Sequence, residues 1–227
     1  MRDKHQRESA PGAGLSTHRI VIEAVRLADS EDVDGVSMRR LASALGAGAM
    51  SLYHYVASRD ELLDAMIDVV FGEIELPLAD TDWQAAMRRR AISAREVLAR
   101  HPWAIGLMES RTTPGPANLR HREAVTACLR KAGFSVAMAT HANWLLDSYV
   151  YGFALQEASL PDTADALADM TQEVFLPQLP PDEFPYLNES AAALVAAGYD
   201  PAGEFTFGLD LVLAALERLR DSAERPG

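Results

Sequence analysis

The chain has 227 residues, 48% of them hydrophobic and 24% charged, with a formal charge of −12. This is enough apolar material for one large or two small domains, and no run of about 18 apolar residues occurs that would span a membrane. The one cysteine, Cys128, rules out an intramolecular disulfide, reads as a small core residue, and points to a reducing, cytoplasmic setting.

The acid is unevenly placed. Residues 1–60 hold eight basic and eight acidic side chains, so the whole negative excess follows residue 60. Uniform acidity argues against nucleic acid, but this asymmetry suggests two parts with different partners. The first 15 residues are polar, contain Pro11 and two glycines, lack the apolar stretch of a secretory signal, and read as a disordered arm.

Ser16 is the N-cap of a first helix, with Ile20, Ala24, Leu27 and Ala28 at helical spacing to about Ser30. After the acidic link EDVDG, Ser37 caps a short second helix bearing Met38, Leu41, Ala42 and Leu45 on one face. Val36 and Leu41 sit as a hydrophobic staple, and Gly46 takes the left-handed C′ position. A third short helix runs from Ala49 to about Tyr55, and Ser58 with Glu61 forms a capping box for a fourth that stops near Pro77. Two short helices joined by a glycine-containing turn make a helix-turn-helix.

The remainder also reads as helical: Trp83 to Arg100, a short piece around 103–110, 116–132 ended by Gly133, and a long helix capped by Ser135 to about Glu157. Asp162 caps a segment to Phe175, PQLPPDEFP is an irregular loop, and helices follow over Tyr186–Ala197 and Glu204–Ser222. No alternating strand pattern and no internal repeat is present. The fold class is therefore all-α: an N-terminal three-helix helix-turn-helix domain, backed by a fourth helix, and a larger helical domain.

The stretch GAGAMSLYHYVASRDELL, residues 46–63, is where chemistry concentrates. Leu52, Tyr55 and Val56 form the inward stripe of the third helix. Its other faces carry Ala49, Met50, Ser51, Tyr53 and His54, with no charge beyond a potential imidazolium at His54. Methionine and aromatic edges suit thymine methyls, and hydroxyls or imidazole suit phosphates and base edges. Ala47, Gly48 and Ala49 leave room for close approach to a phosphate. Ser37, Arg39 and Arg40 open the second helix and Arg59 the fourth, at the end of the motif where a DNA backbone would pass. Tyr55, beside His54, completes the DNA-contact set. The same stretch spells G-x-G-x-x-S, but an amphipathic helix precedes it where a dinucleotide loop requires a strand.

The segment SMRRLASALGAGAMSLYHYVASRDELLDAM, residues 37–66, resembles the TetR family of bacterial transcriptional repressors. It follows that family's L-A-x-x-L-G, short turn and L-Y-x-[HY]-[FV]-x-[SN]-[KR]-x-x-L pattern, over helices one to four, about residues 16–75. Tyr53 falls on the motif tyrosine, Arg59 on the phosphate-gripping basic residue, and Arg39 where some members place a base-contacting arginine. Ala47-Gly48-Ala49 departs from the polar base readers common there. DWQAAMRRRA, HPW at 101–103, YVYGFALQE and FTFGLDLVLAAL resemble the branch whose ligand domain is like that of the tetracycline repressor. The resemblance implies that residues 76–227 are an effector-binding and dimerisation domain. Its partners would be a double-stranded DNA operator, a small-molecule effector and a second copy of the chain. It also implies that the protein is not an enzyme.

Within that larger domain, Trp103, Met108, Trp144, Tyr151, Met170 and Phe175 are candidate effector contacts, with Asn118, His141 and Asp147 as polar ones. Asn143 and Gln156 share that polar character. The run Arg88-Arg89-Arg90 reads as a solvated helix face. No histidine pair has metal-ligand spacing, and neither a nucleophile elbow nor a phosphate loop appears, so no metal and no cofactor is expected. A helical enzyme or small-molecule carrier using the C-terminal cavity is the other functional class. The helix-turn-helix, which an enzyme would not need, separates the two.

Overall fold

The computed structural model describes residues 15–223, except 79–81, 109, 112 and 162. The arm before residue 15 and Asp162 lie outside the described residues. The described residues form α-helices and short 3-10 or π turns, with no strand.

Helix α1 (Thr17–Glu31) starts at Ser16, whose hydroxyl accepts from Arg19 N. A 3-10 turn, Val33–Gly35, leads to α2 (Met38–Ala44), capped by Ser37 on Arg40 N at 3.3 Å. The staple residues Val36 and Leu41 are both buried, and Gly46 takes φ +65°, the left-handed turn that ends α2. Helix α3 (Ala49–Leu52) is shorter than its apolar spacing predicts. It opens at Gly48, which has no side chain to cap it, and residues 53–55 leave it as a turn. That turn swings Tyr55 out of the inward stripe: Leu52 and Val56 are buried, whereas Tyr55 is 41% exposed.

Ser58 accepts from Glu61 N, and Glu61 reaches back to Ala57 N at 2.6 Å, starting α4 (Arg59–Glu73). The returning bond lands one residue before the N-cap but closes the same capping logic. Helices α1 and α4 share one apolar core with α2 and α3 through Ile20, Leu41, Leu52, Leu62 and Met66.

Helix α5 (Trp83–Arg100) is capped by Asp82. His101 then turns the chain into the 3-10 segment Pro102–Ala104 and the single-turn α6 (Ile105–Met108), in place of one short helix. Helices α7 (Pro116–Lys131) and α8 (Val136–Glu157, capped by Ser135) pack on α5. Helix α9 (Ala164–Met170) is capped by Thr163 and runs into a π-helical stretch, Thr171–Phe175. The proline-rich segment contains a 3-10 turn, Leu176–Gln178, before α10 (Pro185–Ala197). Helix α11 (Pro201–Ala223) closes the domain against α5 and α8.

The three arginines on α5 do not share a solvated face. Three consecutive helical residues sweep about 200° around the axis, so one must turn inward. Arg88 pairs with Asp210 and Arg89 with Glu75, but Arg90 is 1% exposed and pairs with Asp147 at 2.5 Å. Arg90 lies four residues after Ala86 and three after Met87, on the buried stripe of the helix.

Candidate nucleic-acid interface and effector cavities

The helix-turn-helix surface is built by burying only what holds it. Leu52 and Val56 anchor α3 and its following turn. Met50 is 77% exposed and Tyr53 45%, with Ser51, His54 and Tyr55 exposed beside them and Ala49 half-buried. Ser37 faces solvent as the α2 cap. Arg39 is exposed, and no side-chain hydrogen bond or ion pair of its own is found among the described residues. Arg40 forms an ion pair with Glu31, exposed on both sides and therefore worth little. Arg59 donates to Val33 O at 3.2 Å, which ties the start of α4 to the 3-10 turn and leaves its other guanidinium donors outward. The turn after α3 is tied to α1, where Thr17 Oγ donates to Tyr55 O at 3.5 Å.

The nine effector candidates do not converge on one cavity. Trp144, Asp147 and Tyr151 line a cavity of about 490 Å³ with Arg122, Asn143 and Ser148. Met170 and Phe175 line a separate apolar groove of about 340 Å³ with Leu167, Leu187 and Leu194. Met108 is core, and His141 is exposed on α8. Asn118 is buried, and its side chain accepts from Arg122 Nε at 2.7 Å. Trp103 is buried and donates its indole N–H to Asp29 of α1 at 2.7 Å, so it joins the helical body to the N-terminal helices.

Trp103 belongs to a contact that the sequence did not disclose. His101 Nδ1 lies 2.6 Å from Asp29, and its Nε2 lies 3.3 Å from Glu73 at the end of α4. Partial burial raises the Glu73 carboxyl, but hydrogen bonds from Arg100 and His101 outweigh it and hold the group below the ordinary glutamate range. On the other side of α4, Asp68 accepts from Ala117 N at 2.8 Å and Asn118 N at 2.9 Å, capping α7 from outside. Arg111 bonds Asp64 and the Asp60 carbonyl of the same helix. Helix α4 is thus held by the end of α5, by Arg111 and by α7, and α7 borders the larger cavity through Arg122.

The other residues missed by periodicity are Arg90 and His121. Arg90 Nε donates to His121 Nε2 at 3.0 Å, behind the Asp147 wall of the larger cavity. Burial, then the charges of Arg90 and Arg122, push His121 down to about 3. An arginine on the apolar stripe of α5 was the available signal. Among the described residues no group of His, Cys, Asp and Glu has the arrangement of a metal site. No helix among them is long and apolar enough to cross a membrane.

Residues 20–66 match the family described as bacterial regulatory proteins, tetR family. Residues 76–220 match the tetracyclin repressor-like C-terminal domain. The chain belongs to the TetR family. Its relatives include the HTH-type transcriptional repressor DrrR1 of Streptomyces coeruleorubidus, 33% identical over 215 residues, 92% of this chain and 80% of that protein. Apo ActR from Streptomyces coelicolor superposes with a TM-score of 0.77 at 31% identity, over 95% of this chain and 99% of that one. ActR in complex with actinorhodin matches with a TM-score of 0.76 at 32% identity, over 92% and 99% of the two chains. This TetR family member is accordingly a DNA-binding transcriptional regulator, and α2–α3 is its helix-turn-helix.

Proposed function

We propose that the chain is a homodimeric repressor that binds a near-palindromic operator through residues 16–75 and is released by a small-molecule effector taken up within residues 76–227. The observation that carries this reading is the α3 surface. A short helix and the turn after it, whose outward side chains are Met50 and Ser51 on the helix and Tyr53 and His54 on the turn, held from behind by Leu52 and Val56, present groove-reading groups where a self-contained fold would present charge. Arg39 and Arg59 flank it as phosphate or guanine contacts.

Dimerisation is supported by exposed apolar rows. On α8, Leu145 and Leu155 share a face with Ser148 and Gly152; on α11, Phe207, Leu211 and Leu219 are at least half exposed. Two copies packing these faces would bury them and set the spacing of the two reading helices. The effector shifts the population between dimer forms by binding one of them better. The protein works with DNA in the cytoplasm, and no enzymatic step is assigned to it.

A mobility shift on DNA flanking its own gene tests this. Sequence-selective binding that weakens with salt is expected. Binding that is absent, or indifferent to sequence, rejects the operator reading.

A further inference from the structure

Residues 16–75 contain no asparagine and no glutamine. Those are the side chains that take adenine by a bidentate hydrogen bond in the major groove. The Ser51 hydroxyl can donate or accept, so it suits several base edges and selects none strongly. Arg39, exposed on α2, suits guanine. At this surface an A·T pair is therefore told from T·A by the thymine C5 methyl, which marks one strand only.

Met50 is the second residue of α3 and is 77% exposed, with the half-exposed Tyr53 three residues on. Ala47, Gly48 and Ala49, just before it, carry nothing longer than a methyl group. Gly48 has φ −79°, and a Cβ there would meet only Ser51 Oγ at 3.7 Å, so neither backbone conformation nor internal packing asks for glycine. The low surface before it leaves Met50 standing clear. A thioether chain is unbranched, adapts to an irregular apolar partner, and gains from burial only when that partner arrives. Resting on the DNA-binding reading above, we infer that Met50 is a specificity-determining residue that packs against the C5 methyl of a thymine in each operator half-site.

The test uses the full-length chain and a duplex operator selected from random-sequence DNA. Each thymine is replaced in turn, in both half-sites, by deoxyuridine, which removes the methyl and keeps every hydrogen-bonding group. At one position or more, affinity measured by fluorescence anisotropy should fall by roughly fourfold per half-site, the scale of one buried methyl. Met50→Ala should bind the thymine operator more weakly and no longer distinguish thymine from uracil at that position. Met50→Leu, still long and apolar, should keep the distinction. Both variants alter an exposed side chain, so their urea midpoints should match the wild type. No penalty at any thymine, or a penalty that survives Met50→Ala undiminished, overturns the inference. If the selection yields an operator whose uracil forms bind as well as the thymine form, the operator reading stands and only methyl recognition falls. If it enriches no sequence, both fall.

Discussion

A Cβ on Gly115 would lie 2.7 Å from Cβ of Asp68, and closer still to the carboxyl group. Gly115 has φ −80° and ψ 174°, a conformation open to any residue, so the requirement is for space alone. The space lets Asp68 of α4 reach the first free N–H groups of α7, which Gly115 as N-cap cannot satisfy. One missing methyl thereby joins the helix behind the DNA-reading motif to a helix that borders the larger cavity.

Gly115→Ala should destabilise the fold by about 1–3 kcal/mol through overpacking. Asp68→Ala should cost about 0.5–2 kcal/mol through the lost cap. The two are expected to be partly non-additive in urea denaturation, because removing the carboxylate relieves the two closest contacts and leaves only the one between the two Cβ atoms. A Gly115→Ala penalty undiminished in the Asp68→Ala background would show that the clash lies elsewhere.

Arg39→Ala and Tyr53→Ala remove exposed side chains, so each should change stability by no more than about 0.5 kcal/mol. Operator affinity should fall by about 1–3 kcal/mol in each. Arg59→Ala should weaken all DNA sequences alike and reduce the slope of log K against log salt by about 1. Fluorescence anisotropy across a salt series distinguishes these outcomes. A mutant that melts early instead assigns its residue to the core.

His121 makes stability pH-dependent. Its folded value of about 3 lies below the ordinary histidine value of 6.5. Between these values the unfolded chain holds a proton that the folded chain does not, so acid favours unfolding. Stability should therefore fall as pH drops through that window, at up to about 1.4 kcal/mol per pH unit. His121→Gln should flatten the dependence of the urea midpoint on pH between neutrality and about pH 4. An unchanged profile would mean that other groups govern it. The Glu73 carboxylate acts in the same direction only below the ordinary glutamate range, since its folded value is depressed.

Asp29 holds both His101 Nδ1 and the Trp103 indole N–H. Asp29→Ala should leave operator binding and effector binding individually measurable but reduce the coupling between them by about 0.5–2 kcal/mol. The measurement is operator affinity at zero and saturating effector in wild type and mutant. Equal coupling in the two would remove this contact from the path of communication.

The all-helical class, the caps at Ser16, Ser37, Ser58 and Ser135, and the glycine turn at Gly46 were legible in sequence because each rests on a local rule. A hydroxyl meets an N–H three residues on, apolar side chains recur every three or four, and a left-handed turn favours glycine. The same locality made the exposed character of Met50, Tyr53 and His54 readable, since Leu52 and Val56 account for the buried side of that short stretch. Tyr55 departed because α3 ends at Leu52, and helical spacing carries no meaning past the last helical residue.

What the sequence by itself determined is the all-helical class, the helix caps and the helix-turn-helix pattern of the N-terminal part. Tertiary structure alone decided that Arg90 turns inward to Asp147 and His121, that Trp103 joins Asp29, that Asp68 caps α7, and that the effector candidates divide between two cavities. These partners lie between 31 and 74 residues apart in the chain. Local propensity and periodicity act within a few turns, whereas the energy of a buried charge depends on whatever distant group the packing brings beside it.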